Sequence, residues 1–96
     1  IAKSKKQADK ERAALGVNME AAAQVINQIR LRNISGIIII DFINMQEEAS
    51  VKELLSYMKG LAKKEHITTN IVDITPLGLV EMTRKNNGKT LKELIR

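Results

Sequence analysis

The sequence predicts an α/β domain: a small mixed sheet flanked by helices, in the order α-β-α-β-β-α. Three observations predict it. Ile37 to Ile40 form an unbroken β-branched run after Ser35-Gly36. Val51, Leu54, Leu55, Met58, Leu61 and Ala62 recur at i, i+3, i+4 and i+7 spacing, the mark of an amphipathic helix. Two further stretches, beginning near Thr69 and at Leu79, read as strands on either side of the turn residues Pro76 and Gly78.

Residues 1–16 are rich in Lys, Gln and Ala and offer little apolar surface to bury. They are expected to form a flexible basic N-terminal segment, partly helical or disordered. The single α/β domain is placed at residues 17–96. Asn18 is a plausible N-cap for the first helix, in which Met19, Ala22, Val25, Ile26 and Ile29 share one face. That helix should run to about Arg32 and end at Asn33, before the Ser35-Gly36 break.

The isoleucine run does not alternate with polar residues, so it reads as a central strand covered on both faces of a parallel or mixed sheet. A polar connection, 45–50, follows. Ser50-Val51-Lys52-Glu53 fits a capping box, although a helical turn could start near Gln46. Lys52, Lys59, Lys63 and Lys64 lie off the apolar stripe and read as a solvated face. The segment 79–84 sets Leu79, Glu81 and Thr83 against Val80, Met82 and Arg84. Asn86-Asn87-Gly88 signals a turn, and Thr90-Leu91-Lys92-Glu93 a capping box that opens a last short helix.

Ninety-six residues make one small domain. The absence of Cys excludes disulfides and thiolate metal sites within this stretch and fits a reducing compartment. No apolar run approaches the roughly 20 residues of a membrane span. No signal-peptide pattern opens the chain, and cytoplasmic localisation is expected. Residue 1 is Ile rather than Met, so the chain is expected to be a piece of something longer.

The net charge of +5 is concentrated at the ends. Residues 1–12 and 81–96 each carry five cations against two carboxylates, while the middle is nearly neutral. Basic ends on a neutral core suit a polyanion such as nucleic-acid phosphate, or simply keep the ends solvated. Phe42 and Tyr57 are the only aromatics, which argues against a base-stacking platform.

Asp41 closes the isoleucine strand. Ligands of open α/β sheets bind at the carboxyl ends of strands, so a carboxylate there can hold a metal or polar ligand; it can also cap a turn. His66, the single His, reads as a solvated loop residue.

Two stretches together resemble the ribonuclease E/G family. Asn18-Met19-Glu20-Ala21-Ala22, then Ile29-Arg30-Leu31-Arg32-Asn33-Ile34-Ser35-Gly36 and the strand through Asp41-Phe42-Ile43-Asn44-Met45, are similar to N-L-E-A-A…Q-L-R-L-R-D-x-G-G-x-I-V-I-D-F-I-D-M. Gly78-Leu79-Val80-Glu81-Met82-Thr83-Arg84 is similar to G-L-x-E-M-[ST]-R, at matching separation. The resemblance spans roughly residues 11–86 and implies the subdomain likened to DNase I, within the catalytic core of a Mg²⁺-dependent endoribonuclease that cleaves single-stranded RNA in RNA processing and decay.

On that resemblance Asp41 matches a metal-binding, catalytic aspartate, with Mn²⁺ a possible substitute for Mg²⁺. The partner aspartate and its supporting asparagine belong to an upstream D-x-N segment, expected to precede Ile1. The S1-type RNA-binding part and the zinc-binding Cys pair that joins subunits are expected elsewhere in the parent protein, which implies a homo-oligomer. Arg84, Lys85, Arg30 and Arg32 are candidate RNA phosphate contacts, Arg84 and Lys85 foremost because they sit in or beside a matching motif. Asn44 stands where the family has a second Asp, and Glu65-His66-Ile67-Thr68 replaces a basic D-R-A-[RK] stretch. The isolated chain, with half a metal site, is expected to be inactive. The alternative is a non-catalytic RNA-binding or subunit-interface module.

Overall fold

The computed structural model describes residues 2–75 and 78–85. In order these form α1 (Ala2–Arg32), β1 (Gly36–Asp41), α2 (Glu48–Lys63), β2 (Thr69–Ile74) and β3 (Leu79–Arg84). The α/β class and the order α-β-α-β-β are those the sequence predicts. Pro76, the Asn86–Gly88 turn and the helix expected from Thr90 lie outside the described residues.

The first correction concerns α1. It is one 31-residue helix that runs through Asn18, so Asn18 is an interior residue and not an N-cap. The segment 2–16, expected as partial helix or disorder, is helical. Its Ala, Lys, Gln and Glu content has good helix propensity, and Leu15 packs against the core. At its C-terminus α1 ends on Asn33, whose φ of 52° is left-handed. The Asn33 N–H donates to Arg30 O at 3.2 Å and the Ile34 N–H to Ile29 O at 3.0 Å. This is a Schellman closure, with Asn in the position more often held by Gly.

α2 begins earlier than the Ser50 box, with Glu47 as N-cap and Ser50 buried inside the first turn. Leu54, Met58 and Ala62 are buried on its packed face, with Leu55 and Leu61 partly so, which follows the predicted stripe.

The sheet has strand order β1-β3-β2, and both pairings are antiparallel. This corrects the expectation of a parallel or mixed sheet with the isoleucine strand at its centre. β3 is central and β1 is an edge. Burial alternates along β1: Ile40 is buried and Ile38 partly so, whereas Ile37 is 70% exposed and Ile39 59% exposed. A β-branched run suits either an edge or a central strand, and the neighbours decide which. Val80 and Met82 of β3 and Ile71 of β2 complete the inner face, against Ala22, Ile26 and Ile29 of α1 and the α2 stripe. A bulge interrupts β2 between Ile71 and Asp73. The outer face carries Ile37, Ile39 and Asp41 beside Leu79, Glu81 and Thr83. Among the described residues, no helix is long and apolar enough to cross a membrane.

Candidate metal and nucleic-acid site

The ladder fixes where each candidate lies. Gly36 pairs with Arg84 at one end of β1, and Asp41 pairs with Leu79 at the other. Five residue steps separate the two ends, about 17 Å at strand rise. Asp41 therefore sits at the exit of β1, while Arg84 sits at its entry. Arg30 and Arg32 occupy the last turn of α1, which leads into that same entry. Lys85 follows β3 there, its N–H donating to Thr68 O at 2.9 Å. The basic candidates gather at one end of the sheet and the carboxylate stands at the other.

The four basic residues differ in environment. Arg84 is only 4% exposed. Its parity along β3 is that of Val80 and Met82, so its side chain enters the inner face. Nη1 donates to Asn33 Oδ1 at 3.1 Å and to Ile34 O at 2.9 Å, while Nε has no partner among the described residues. This guanidinium fastens the α1–β1 turn and has no carboxylate partner among the described residues. Arg30 is exposed; it lies 3.5 Å from Glu65 and donates to the Asn27 amide. Arg32 and Lys85 are exposed, and His66 is exposed on the α2–β2 connection.

Asp41 is exposed on the outer face, with no described residue pairing its carboxylate. An unpaired carboxylate offers hard oxygen ligands of the kind Mg²⁺ takes, one or two at a time with water filling the rest. Among the described residues, no cluster of three His, Asp or Glu side chains could hold a metal. Asp41 thus fits the role of one ligand of a shared site. β1 stops at Asp41, so Asn44 lies beyond the strand.

Two residues that sequence reasoning did not assign to this region hold the chain beyond Asp41. Asn18 is buried in the middle of α1. Its Nδ2 donates to Ile43 O at 2.8 Å, and Ile43 N–H donates to its Oδ1 at 2.9 Å. One turn-pair earlier on the same helix face, Glu11 accepts from Gln46 N–H and Glu47 N–H, each at 2.9 Å. The Gln46 N–H is the main reason its carboxyl is held below the usual 4.5; partial desolvation opposes this, and Glu47 and Ser50 reinforce it. Asn18 carried one legible signal, a lone amide within an apolar helical stripe. Glu11 carried none among so many charges.

Residues 2–87 match the Ribonuclease E/G family. Among curated proteins, the chain is 40% identical over 87 residues to Ribonuclease E of Synechocystis, covering 91% of the chain and 13% of that protein. It is 41% identical over 78 residues to Ribonuclease G of Salmonella typhimurium, covering 81% and 16% respectively. It is also 41% identical over 81 residues to a Ribonuclease E/G-like protein of Pyropia yezoensis, covering 84% and 16%. The chain thus spans 13–16% of the length of these relatives.

Proposed function

The chain belongs to the ribonuclease E/G family, and from that premise we propose that it is the part of a Mg²⁺-dependent endoribonuclease core that supplies one metal-holding carboxylate, Asp41. The substrate of the whole protein is single-stranded RNA, cut during RNA processing and decay in the cytoplasm. The parent protein assembles as a homo-oligomer and contributes the remaining ligands and the RNA-binding part.

The observation that carries this reading is the exposed Asp41 at the end of a strand whose exit is pinned to α1. When bound, Mg²⁺ supplies an activated water and neutralises charge developing on the scissile phosphate. Asp41 offers its oxygens from the end of a strand, where the ladder with Leu79 places the backbone. Arg32 and Lys85, both exposed, attract RNA phosphate without touching the cleavage point, since they lie at the far end of the sheet. Arg84 contributes by holding the fold.

The test is Asp41→Asn in the parent protein, with cleavage followed in Mg²⁺ and in Mn²⁺ alongside thermal melts. The near-isosteric amide leaves the strand end intact and removes the charge. Turnover in Mg²⁺ should fall at least about a hundredfold, with partial relief by Mn²⁺. Wild-type rates in the variant would remove Asp41 from the metal site, and a collapsed melt would make its role structural. The isolated chain should not cleave RNA in Mg²⁺, and its RNA binding should be weak and steeply salt-dependent. Tight binding indifferent to salt would contradict that.

A further inference from the structure

Asn18 is 1% exposed, on a helix face otherwise lined by Leu15, Met19, Ala22 and Ile26. Asn is a mediocre helix former, and a buried amide without partners is costly. The cost is offset by a closed pair of hydrogen bonds to one residue, Ile43, whose N–H and C=O are both satisfied by the Asn18 side chain. The amide does for Ile43 what a neighbouring strand does for a ladder residue. It acts where the ladder has ended, because Asp41 opposite Leu79 is the last pair of β1.

Asp41 is consequently bracketed. Behind it the β1–β3 ladder fixes the backbone, and two residues ahead Ile43 is fixed to α1. Glu11 extends the hold to Gln46 and Glu47, at the start of α2. A metal ligand must stay within about 0.5 Å of its working position, which demands that its supporting backbone be held from both sides. A neutral amide does this without placing a second charge beside the carboxylate.

We propose that Asn18 is a positioning residue for Asp41, fixing the exit of β1 so that the backbone carrying the carboxylate is held in place for the metal. This rests on the reading of Asp41 as a metal ligand. Asn18→Asp keeps the size and the acceptor for Ile43 N–H, but turns the donor into an oxygen facing the Ile43 carbonyl. Asn18→Ser retains a single, shorter hydroxyl.

Both variants, with Asp41→Asn, are to be made in the parent protein and compared by amide exchange, and by Mn²⁺ titration without RNA followed by electron paramagnetic resonance. In Asn18→Asp, the bond to the Ile43 carbonyl is lost and replaced by two opposed oxygens, which should open the pair and lower protection of the Ile43 amide about tenfold even though its acceptor is kept, while the Val80 and Met82 amides keep theirs. Mn²⁺ affinity should weaken about tenfold in step, with Asn18→Ser between it and wild type. Unchanged Mn²⁺ affinity in variants that have lost Ile43 protection overturns the proposal. So does loss of protection across the whole sheet in both variants, which would make Asn18 a folding residue only. Undiminished Mn²⁺ binding by Asp41→Asn would instead remove the metal reading itself, and the positioning role with it.

Discussion

The entry of β1 is fastened by a side chain of β3 and its exit by side chains of α1, and the fastenings differ in charge. At the entry a buried guanidinium, Arg84, reaches Asn33 and Ile34. At the exit a neutral amide, Asn18, and a carboxylate, Glu11, hold Ile43, Gln46 and Glu47. The entry consumes its cation in the fold. The exit leaves its carboxylate, Asp41, exposed and without a partner among the described residues. Two residues of the matching motifs thus differ in what local bonds do for them: Arg84 is taken up by acceptors within the fold, and Asp41 has no partner among the described residues.

The largest effect that tests this contrast is at the entry. Arg84→Ala should cost about 3 kcal/mol, because it removes two charge-assisted bonds and buried aliphatic volume together. Urea unfolding of the isolated chain measures it. Arg84→Met keeps the volume and should cost less; a Met variant as stable as wild type would show that the cation does not hold this end.

Next in size is a gain. The Arg84 guanidinium has only neutral acceptors among the described residues. Asn33→Asp would give it a countercharge at 3.1 Å geometry, in a residue type that still tolerates left-handed backbone. Stability should rise by about 1 kcal/mol. A loss of stability there would mean that the Asn33 amide nitrogen does work not seen in its bonds.

The exit gives a smaller, pH-dependent effect. The Glu11 carboxyl is held below 4.5 in the fold, so its contribution is fully present above that value and disappears as pH falls through the lower folded value. Glu11→Gln should lower the melting temperature at pH 7, and the gap between variant and wild type should close in acid. A gap that does not narrow at all as the pH is lowered through the acid range would mean the carboxylate charge is not what holds Gln46 and Glu47. Smallest of all, Arg30→Gln should cost about 0.5 kcal/mol: Arg30 is half exposed and 3.5 Å from Glu65, and the Gln amide still offers a donor to that carboxylate, whose side chain is only 6% exposed. A larger loss in the same unfolding assay would give that pair a role beyond solvation.

The parts of this contrast that were legible in the sequence are those set by periodicity. The α2 stripe and the alternation of residues 79–84 hold as read. That alternation already grouped Arg84 with Val80 and Met82, which is the parity that buries it. Its basic character pointed instead to phosphate. The place of the isoleucine run was not legible, because four β-branched residues satisfy an edge or a centre equally and only the pairing with β3 chooses. The continuity of α1 was masked by Asn18, which is a good N-cap by type and here serves a partner 25 residues away. Long-range bonds from side chain to backbone leave no periodic trace.

Strand order sets a schedule for folding. β2 and β3 are joined across residues 75–78, where Gly78 N–H donates to Thr75 O at 2.9 Å and the chain can close quickly. β1 must find β3 across the whole of α2, a closure of far greater loop entropy. The β2–β3 hairpin with α2 should therefore form first and β1 should dock late, which makes the strand that ends in Asp41 the first part of the sheet to open under native conditions. Amides of Ile38 and Ile40 exchanging at lower free energy than those of Ile71 and Val80 would record that order. Equal values would mean that the sheet opens as one unit, and that the strand bearing the carboxylate is no looser than its neighbours.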